Sequence, residues 1–460
     1  MKFTVSLPAP IQPEQEWIVR FLLGEILGFE FVIKETQTLD VLIEVQEKVL
    51  VISSVFFGLS EQQQNSIDCL PSQPFSKWNP VKSGLQAELT SPQIVVLYGK
   101  ALFEMHSTES ASLGLDVFGS AFVVLSQLEE RLKTARDEHH RFSSSDSFLV
   151  KANILERPIV EEYANVLYAA MLRLWPRISR KREEGKVNVT CDVDHPFSDY
   201  ANTWARTIKK MGGDLVRRKS VNTAVKSFQN TWNSKKGNFS SDPFNTFSWI
   251  MDQNEKAGNQ VTFYFMAGVT DELRDGNYDL LSPRICGLLL EIDQRGHKIG
   301  LHGSYLTYNR PDLFEKEVSV IERALDLIGS KQNLIETRQH YLRWSLLETP
   351  LMHQNAGFQF DSSVGFAELP GFRVGTGRTH SSFSHISRKP LLIKQKPLIL
   401  MEASVLDEPY MALSYNESTL DLMLRLKTKA KQFGGSFTIL WHNCHFLRSE
   451  DQAFYQELIR

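Results

Sequence analysis

The 460-residue sequence contains only four cysteines, and no two of them form a Cys-x-x-Cys pair: Cys69, Cys191, Cys286 and Cys444. Their spacing argues against a zinc ribbon and against a disulfide framework. Long hydrophobic runs are also missing, since no stretch approaches the ~18 consecutive apolar residues of a membrane span. The first ten residues lack the apolar core of a signal peptide. We therefore expect a cytoplasmic protein with reduced thiols and no membrane span.

An excess of charge of either sign is absent as well. The formal net charge is −3, so the sequence offers no long-range attraction to nucleic acid or to an anionic membrane. The hydrophobic fraction of 42% and the charged fraction of 23% are those of an ordinary globular protein. Because 460 residues exceed the usual size of one hydrophobic core, we expect two domains.

Residues 1–180 mix short β-rich runs with amphipathic helical stretches and predict a smaller α/β N-terminal domain. One helix is predicted through residues 116–130 and another from Pro158 to Leu174. The segment His139-His140-Arg141 is either a pair of ligand histidines or part of a solvated loop. Adjacent side chains point in different directions in regular structure, which favours the loop. We find no catalytic constellation in this domain.

Residues 185–460 alternate between β-rich and helical runs, which predicts a parallel sheet closed into a distorted (β/α) barrel. Strands are expected at 187–193, 260–266, 298–301, 334–341 and 436–441. Helices are expected near 199–212, 282–295, 311–328, 345–356 and 418–432. A basic, Gly/Ser/Asn-rich insertion at 213–238 interrupts this alternation and is either a mobile surface loop or a substrate lid.

Two carboxylates end the first β-rich run of this second domain, Asp192 and Asp194. Residues two apart on a strand share a face, so the two side chains repel each other unless a metal or a proton lies between them. An ordinary turn or helix cap is the alternative explanation. The placement favours a functional pair.

Other predicted strands also end in polar residues. His302, Arg338 and His442 follow strands, and Asp361 lies in a later turn. Carboxyl ends of parallel strands meet at one edge, where functional groups collect. A divalent metal held by carboxylate and imidazole activates water, a second carboxylate takes the proton, and a histidine protonates the leaving group. The pattern indicates a hydrolytic metal site.

The order of these motifs resembles the polysaccharide deacetylase family, carbohydrate esterase family 4, across residues of about 187 to 448. The resemblance implies a base at Asp192 and metal ligands at Asp194 and His302. It also implies an acid at His442 and a divalent cofactor, zinc in our expectation.

The same resemblance extends to the third and fourth motifs. Arg338-Gln-His-Tyr matches a motif in which arginine orients the base and an amide near the aromatic residue, here Tyr341, helps to bind the oxyanion. Asp361 matches an aspartate that holds this arginine. Residues Leu115-Asp-Val-Phe-Gly-Ser-Ala-Phe and Arg157-Pro-Ile-Val-Glu-Glu-Tyr resemble an uncharacterised domain that precedes a bacterial subgroup of the family.

Two positions depart from the family pattern. Position 306 is Leu where a second metal histidine is usual, and aliphatic carbon binds no cation. The proline usual after the third motif's arginine is replaced by His340. The missing ligand is supplied by His195, His340, His445 or water, and the sequence leaves these alternatives open.

The leading hypothesis is a metal-dependent deacetylase that removes an N-acetyl group from an amino sugar or polysaccharide precursor. The departure at Leu306 motivates an alternative, a catalytically degenerate protein of the same fold that binds carbohydrate. A remote alternative is a glycosyltransferase in which the Asp-x-Asp pair of Asp192 and Asp194 holds a metal-bound sugar nucleotide.

Overall fold

The structure is a computed structural model that describes residues 2–198, Trp232 and residues 239–460. The helix predicted near 199–212 and, apart from Trp232, the basic insertion at 213–238 lie outside the described residues. In the part of the chain that is described, no helix is both long enough and apolar enough to cross a membrane. All four cysteines are free thiols.

The N-terminal region is built on a mixed six-stranded sheet with the order β2-β1-β3-β4-β8-β7, and a two-stranded ladder pairs β5 with β6. Within the larger sheet, β1 runs parallel to β2 and β4 parallel to β8, and the other pairs are antiparallel. The strands are β1 Lys2–Pro8, β2 Glu30–Thr36, β3 Val41–Val45, β4 Lys48–Ile52, β5 Ser76–Trp78, β6 Ile94–Val96, β7 Gly99–Met105 and β8 Ser110–Leu115.

Helices, the longer of which are largely buried, pack with this sheet. They are α1 Pro13–Val19, which continues as a π-helix over Arg20–Ile26, then α2 Glu61–Gln64, α3 Val117–Leu125, α4 Leu128–Leu132, α5 Phe148–Lys151 and α6 Ile159–Leu174. The single helix predicted at 116–130 is wrong, because Gln127 adopts a left-handed conformation with φ of 56° and separates α3 from α4. Helix α6 begins directly after Pro158, and Tyr163 and Leu167 on it are fully buried.

The C-terminal region contains a nine-stranded sheet with the order β14-β15-β13-β12-β11-β10-β9-β17-β16. Every neighbouring pair is parallel except β14 with β15. Across the described residues the two edge strands, β14 and β16, share no pairing, so closure into a barrel stays a prediction. The strands are β9 Lys186–Val193, β10 Val261–Phe265, β11 Lys298–Gly303, β12 Glu336–Gln339, β13 Phe360–Asp361, β14 His380–Ser384, β15 Lys389–Gln395, β16 Leu400–Met401 and β17 Ser436–Leu440.

Seven helices are described in this region. They are α7 Phe247–Lys256, α8 Pro283–Gln294, α9 Pro311–Leu327, α10 Thr349–Asn355, α11 Glu402–Leu406, α12 Glu417–Gln432 and α13 Ser449–Ile459. The sequence pattern predicted α8, α9, α10 and α12 and missed the other three. Short 3-10 helices complete the chain at Ile67–Cys69, Pro80–Ser83, Ser144–Asp146, Thr307–Asn309 and His340–Leu342.

The parallel register brings the polar strand ends to one edge of the sheet. Asp192 on β9 is level with Tyr264 on β10, and His302 on β11 is level with Arg338 on β12. Below this edge the central strands β10 and β11 are almost entirely buried, and Val189, Val193 and other apolar side chains of the sheet lie in one core. Burial on both faces explains the near-continuous apolar runs in the sequence.

The two regions pack directly against each other. A buried ion pair joins Arg373 to Glu130 with a nitrogen-to-oxygen distance of 2.6 Å. Backbone hydrogen bonds also cross the boundary, from the amide of Val160 to the carbonyl of Gly375 at 2.9 Å and from the amide of Phe372 to the carbonyl of Leu155 at 2.7 Å. A buried charge pair needs its partner, so the contact links the two regions tightly.

Candidate metal centre

The carboxylates that end β9 lie in a cleft of about 460 Å³ at the polar edge of the sheet. Its lining includes Asp192, Asp194, His302, His340 and His442. Asp192 is only 2% exposed and His302 only 1%. The side chains expected from separate strand ends are therefore brought together in one cleft.

Three potential metal ligands converge in this cleft: Asp194, His302 and His340. The Nε2 atom of His302 is 3.3 Å from Oδ1 of Asp194, and the Nε2 atom of His340 is 3.6 Å from its Oδ2. Ligands bound tetrahedrally at about 2.1 Å from a common ion lie about 3.4 Å apart, so these spacings suit a divalent cation such as zinc.

The other ring nitrogens of both histidines are engaged by acceptors. Nδ1 of His302 donates a hydrogen bond to the carbonyl of Arg338, and Nδ1 of His340 donates to Oδ1 of Asp275, both at 2.9 Å. Because Nδ1 is engaged in both rings, Nε2 is the nitrogen that faces Asp194, and it would bind a cation once it carries no proton. Second partners of this kind are typical of metal-binding histidines.

The electrostatics of the cluster also suit a cation. Oδ1 of Asp194 is buried and accepts no hydrogen bond. Burial opposes ionisation of Asp194, but the imidazoles of His340 and His302 hold its pKa well below the usual range. Burial would lower the pKa of His340, yet Asp194 and Asp275 raise it to about 9. The cluster thus attracts one positive charge, and its donors fit a divalent metal ion.

Among the alternatives that the sequence offered for the third ligand, His340 is the one that lies with Asp194 and His302. His195 is exposed and lies outside the cluster, although it lines the same cleft. His445 belongs to a different group with Glu402 and His442. Leu306 is 38% exposed, and its backbone amide donates to Oγ1 of Thr270.

Arg338 is fully buried and binds Asp192, as expected. Its Nη1 donates to Oδ1 of Asp192 at 2.7 Å and to Oγ1 of Thr190 at 2.8 Å. Its Nε donates to the carbonyl of Ser362 at 2.9 Å, and its Nη2 donates to the Ser362 hydroxyl at 2.8 Å. The ring of Tyr264 lies 4.7 Å from the guanidinium carbon. The carboxylate of Asp192 is thus held in one orientation by a buried guanidinium.

The expected contact between Asp361 and Arg338 is wrong. Asp361 instead accepts hydrogen bonds from Trp344 at 2.8 Å and Gln395 at 3.2 Å, and lies 3.3 Å from His353. Because successive side chains along an extended strand point to opposite faces, Asp361 faces away from the arginine while Ser362 reaches it. Asp361 instead binds Trp344, which follows the loop after β12.

His442 is coupled to a buried carboxylate that the sequence analysis did not identify. Its Nδ1 lies 2.5 Å from Oε1 of Glu402, and its Nε2 lies 3.7 Å from Oδ2 of Asp194. Burial would lower the pKa of His442, but Glu402, Asp194 and Asp192 raise it to about 10. Glu402 directly follows the apolar run at 398–401, and this strand-end signal could have revealed it.

Asp275 was missed as well, and no strand-end pattern marks it. It lies in the loop after β10 and is buried. Its Oδ2 accepts from the amides of Thr270 and Asp271, each at 2.8 Å, and its Oδ1 accepts from the amide of Tyr305 at 2.8 Å. These bonds orient the carboxylate toward His340.

The loop after β12 has an unusual backbone conformation. Tyr341 and Leu342, which both line the cleft, have φ of 60° and 53°. Positive φ is uncommon outside glycine and often marks functional sites. Tyr341 therefore lies beside the candidate ligands, as the third-motif resemblance implied.

The expectation of a solvated loop at His139-His140-Arg141 is wrong for two of its residues. Glu138, His139 and Arg141 line the same cleft as Asp192. His140, with φ of 59°, remains exposed. The sequence showed no signal for this contact, because the loop and the cleft are far apart along the chain.

Comparisons with known proteins leave the function open. Residues 4–176 match the sequence model of a family of unknown function, DUF7033. A search of curated proteins finds no match. Among solved structures, the chain is similar to a protein from Mycobacterium smegmatis assigned as a polysaccharide deacetylase, with 14% identity, a TM-score of 0.39 and coverage of 61% of this chain and 84% of that one. A likeness at that TM-score supports no conclusion about function.

Proposed function

We propose that the protein is a metal-dependent hydrolase that removes an N-acetyl group from an amino sugar or a polysaccharide. The observation that carries this proposal is the convergence of Asp194, His302 and His340, with both Nε2 atoms directed at the Asp194 carboxylate. Beside this cluster lie an arginine-held carboxylate, Asp192, and a carboxylate-paired imidazole, His442. A ligand set, a base and an acid are the parts that hydrolysis of an amide requires.

The cation would be held by Asp194, His302 and His340. When bound, it would polarise the acetyl carbonyl and make water more acidic near neutral pH. Asp275 keeps His340 in the tautomer that offers Nε2, and the carbonyl of Arg338 does the same for His302.

Asp192 acts as the general base in this proposal. Arg338 binds its Oδ1, while its Oδ2 lies 3.6 Å from Nε2 of His302 and so faces the ligand cluster. Asp192 accepts a proton from the water whose oxygen bonds to the acetyl carbon. The buried guanidinium holds the carboxylate in the orientation that this transfer needs.

His442 acts as the general acid. With its pKa raised to about 10 by nearby carboxylates, the imidazole is protonated at neutral pH. It donates this proton to the sugar nitrogen as the carbon–nitrogen bond breaks, which yields acetate and a free amine. Glu402 orients the ring through Nδ1 and stabilises its charged form.

The walls of the cleft support a carbohydrate substrate. Tyr341 and Tyr410 line it together with Met401 and Leu440, so aromatic and apolar surfaces lie beside the polar centre. Such mixed surfaces suit sugar rings, which present both hydroxyl groups and apolar faces. We further propose a distorted barrel over residues 185–460, preceded by a separate domain at 1–180, and a cytoplasmic location.

The two alternatives have less support. The carbohydrate-binding alternative was motivated by Leu306, but His340 now offers the third ligand, so that reason is gone. A glycosyltransferase would use Asp192 and Asp194 but leaves His302 and His442 without a role.

The decisive test measures acetate released from N-acetylated amino sugars and their oligomers after zinc, cobalt or nickel is added to chelator-treated protein. We expect release that depends on metal and is lost in Asp192→Asn and His340→Ala. Absence of acetate with every metal, together with glycan binding that survives Asp192→Asn, would instead establish the binding protein.

A further inference from the structure

The loop at residues 137–141 of the N-terminal region forms part of the cleft wall. It is a compact turn held by one carboxylate. Oδ1 of Asp137 accepts hydrogen bonds from the amides of His139 and Arg141 at 2.9 and 2.8 Å, and Oδ2 accepts from Nε of Arg141 at 2.7 Å. Asp137 therefore holds the guanidinium of Arg141 in an orientation that faces the C-terminal region.

Arg141 reaches the loop that follows the candidate ligand His340. Its Nη1 donates to the carbonyl of Tyr341 at 3.0 Å, and its guanidinium also interacts with the Tyr410 side chain. Only 9% of the Arg141 side chain is exposed. A charge-assisted hydrogen bond in such a buried setting is among the stronger polar contacts in proteins.

The receiving loop needs external support because its backbone is strained. Tyr341 and Leu342 both have positive φ, which non-glycine residues keep only when the surroundings enforce it. His139 adds two further contacts: its carbonyl accepts from Nε of Arg343 at 2.8 Å, and its ring lies 4.8 Å from the ring of Tyr341. The turn at 340–343 is thus held from the N-terminal side.

We infer that Arg141 is a positioning residue of the catalytic cleft, which holds the Tyr341–Leu342 turn so that His340 keeps its place beside Asp194. The N-terminal region then forms one working unit with the C-terminal region and is no detachable accessory. This inference rests on the proposed function for its catalytic meaning, but the positioning itself can be measured without substrate or metal.

The test compares Arg141→Ala, Arg141→Lys and the control Arg136→Ala. Arg136 lies in the same segment, but its hydrogen bonds go to the carbonyls of Glu130, Lys133 and Ala135 within the N-terminal region. The readouts are hydrogen–deuterium exchange of amides 340–344 in chelator-treated protein and zinc affinity by chelator competition.

For Arg141→Ala we expect exchange about tenfold faster in segment 340–344 and zinc affinity about tenfold weaker. Arg136→Ala should leave both unchanged. Arg141→Lys should lie between wild type and Arg141→Ala, since an ammonium can still donate to the Tyr341 carbonyl but lacks the fork that also binds Asp137. It also provides the test if Arg141→Ala does not fold.

Equal amide exchange in wild type, Arg141→Ala and Arg141→Lys would overturn the assignment of Arg141 as a positioning residue. The same follows if Arg136→Ala changes exchange and zinc affinity as much as Arg141→Ala does. An Arg141→Lys variant as impaired as Arg141→Ala would overturn the role of this hydrogen bond. If the exchange result is as expected but wild type binds no zinc, the positioning stands and the proposed metal-dependent function fails. If wild type binds zinc but exchange is unchanged in the Arg141 variants, the positioning role fails and the proposed metal-dependent function is not affected.

Discussion

Replacing Asp275 with Asn tests the metal centre one step away from its ligands. Oδ2 of Asp275 accepts from Thr270 and Asp271, so the single oxygen of Asn would keep those bonds. Its amide group would then face Nδ1 of His340 and the amide of Tyr305. Because an amide NH₂ only donates, Nδ1 of His340 would have to accept, and the proton would move to Nε2. That nitrogen could no longer bind a metal.

We expect zinc affinity to fall about 10- to 100-fold in Asp275→Asn, the range known for partners of metal-binding histidines, which corresponds to about 1.4–2.7 kcal/mol. The cost arises because Nε2 must lose its proton before it can bind. The Asn side-chain NH₂ would also face the backbone N–H of Tyr305, and this contact between two donors would lower zinc affinity further.

Zinc competition with a chromophoric chelator at one neutral pH measures this change, and thermal unfolding of the same samples shows whether the fold is intact. Asp252→Asn is the matched control, because Asp252 is 53% exposed and pairs with Arg295. A zinc affinity of Asp275→Asn within about twofold of wild type would refute the assignment of His340 as a ligand. An equal loss in Asp252→Asn would refute the local explanation.

Three further outcomes are expected from the placement of other buried groups. Asp192→Asn should lower kcat for acetate release by about 10²–10⁴. Zinc affinity should change little, because the variant loses the base but no metal ligand. An unchanged kcat would show that Asp192 is not the base. His442→Ala should lower kcat over a similar range, about 10²–10⁴, most strongly for substrates with poor leaving groups; equal loss for good leaving groups would argue against an acid. Burial raises the pKa of Glu161 to about 7, although Arg378 opposes the shift. Its folded-state pKa then exceeds the unfolded value, so stability should fall as pH rises from about 4.5 to about 7, by at most about 3.4 kcal/mol. In chemical unfolding experiments, Glu161→Gln should make the free energy of unfolding less dependent on pH, whereas the control Glu16→Gln, at a more exposed side chain, should not. An unchanged pH dependence in Glu161→Gln would contradict the explanation.

Much of the candidate centre was predictable because parallel strands impose a simple geometry. Asp192, Asp194, His302 and His442 were chosen as residues at or just after the ends of β-rich runs, and all four line one cleft. A parallel sheet places the carboxyl ends of its strands at one edge, so sequence-distant residues become neighbours without further information. The same reasoning placed Arg338 at this edge, and the family resemblance implied that it would lie next to Asp192.

The prediction failed where contacts depended on side-chain direction or on loops. Asp361 was expected to hold Arg338, but the alternation along the strand gave that contact to Ser362. The predicted helix at 116–130 broke at Gln127, whose conformation no periodicity reveals. Glu402 could have been found from the strand end before it, since the apolar run at 398–401 resembles those that precede the other site residues.

The sequence by itself determined which residue types end the strands, and therefore that carboxylates, imidazoles and a guanidinium would share one edge of a parallel sheet. Periodicity and the twofold alternation of strands suffice for that, because both are local properties of the chain. Only the tertiary structure decided that His340 lies beside Asp194 and His302, that Asp275 contacts its Nδ1, and that Arg141 contacts the turn that follows it. The contact between His340 and Asp275 joins residues that are 65 positions apart in the sequence, and the contact between Arg141 and Tyr341 joins residues that are 200 positions apart. Their formation depends on how loops pack, which no local pattern encodes.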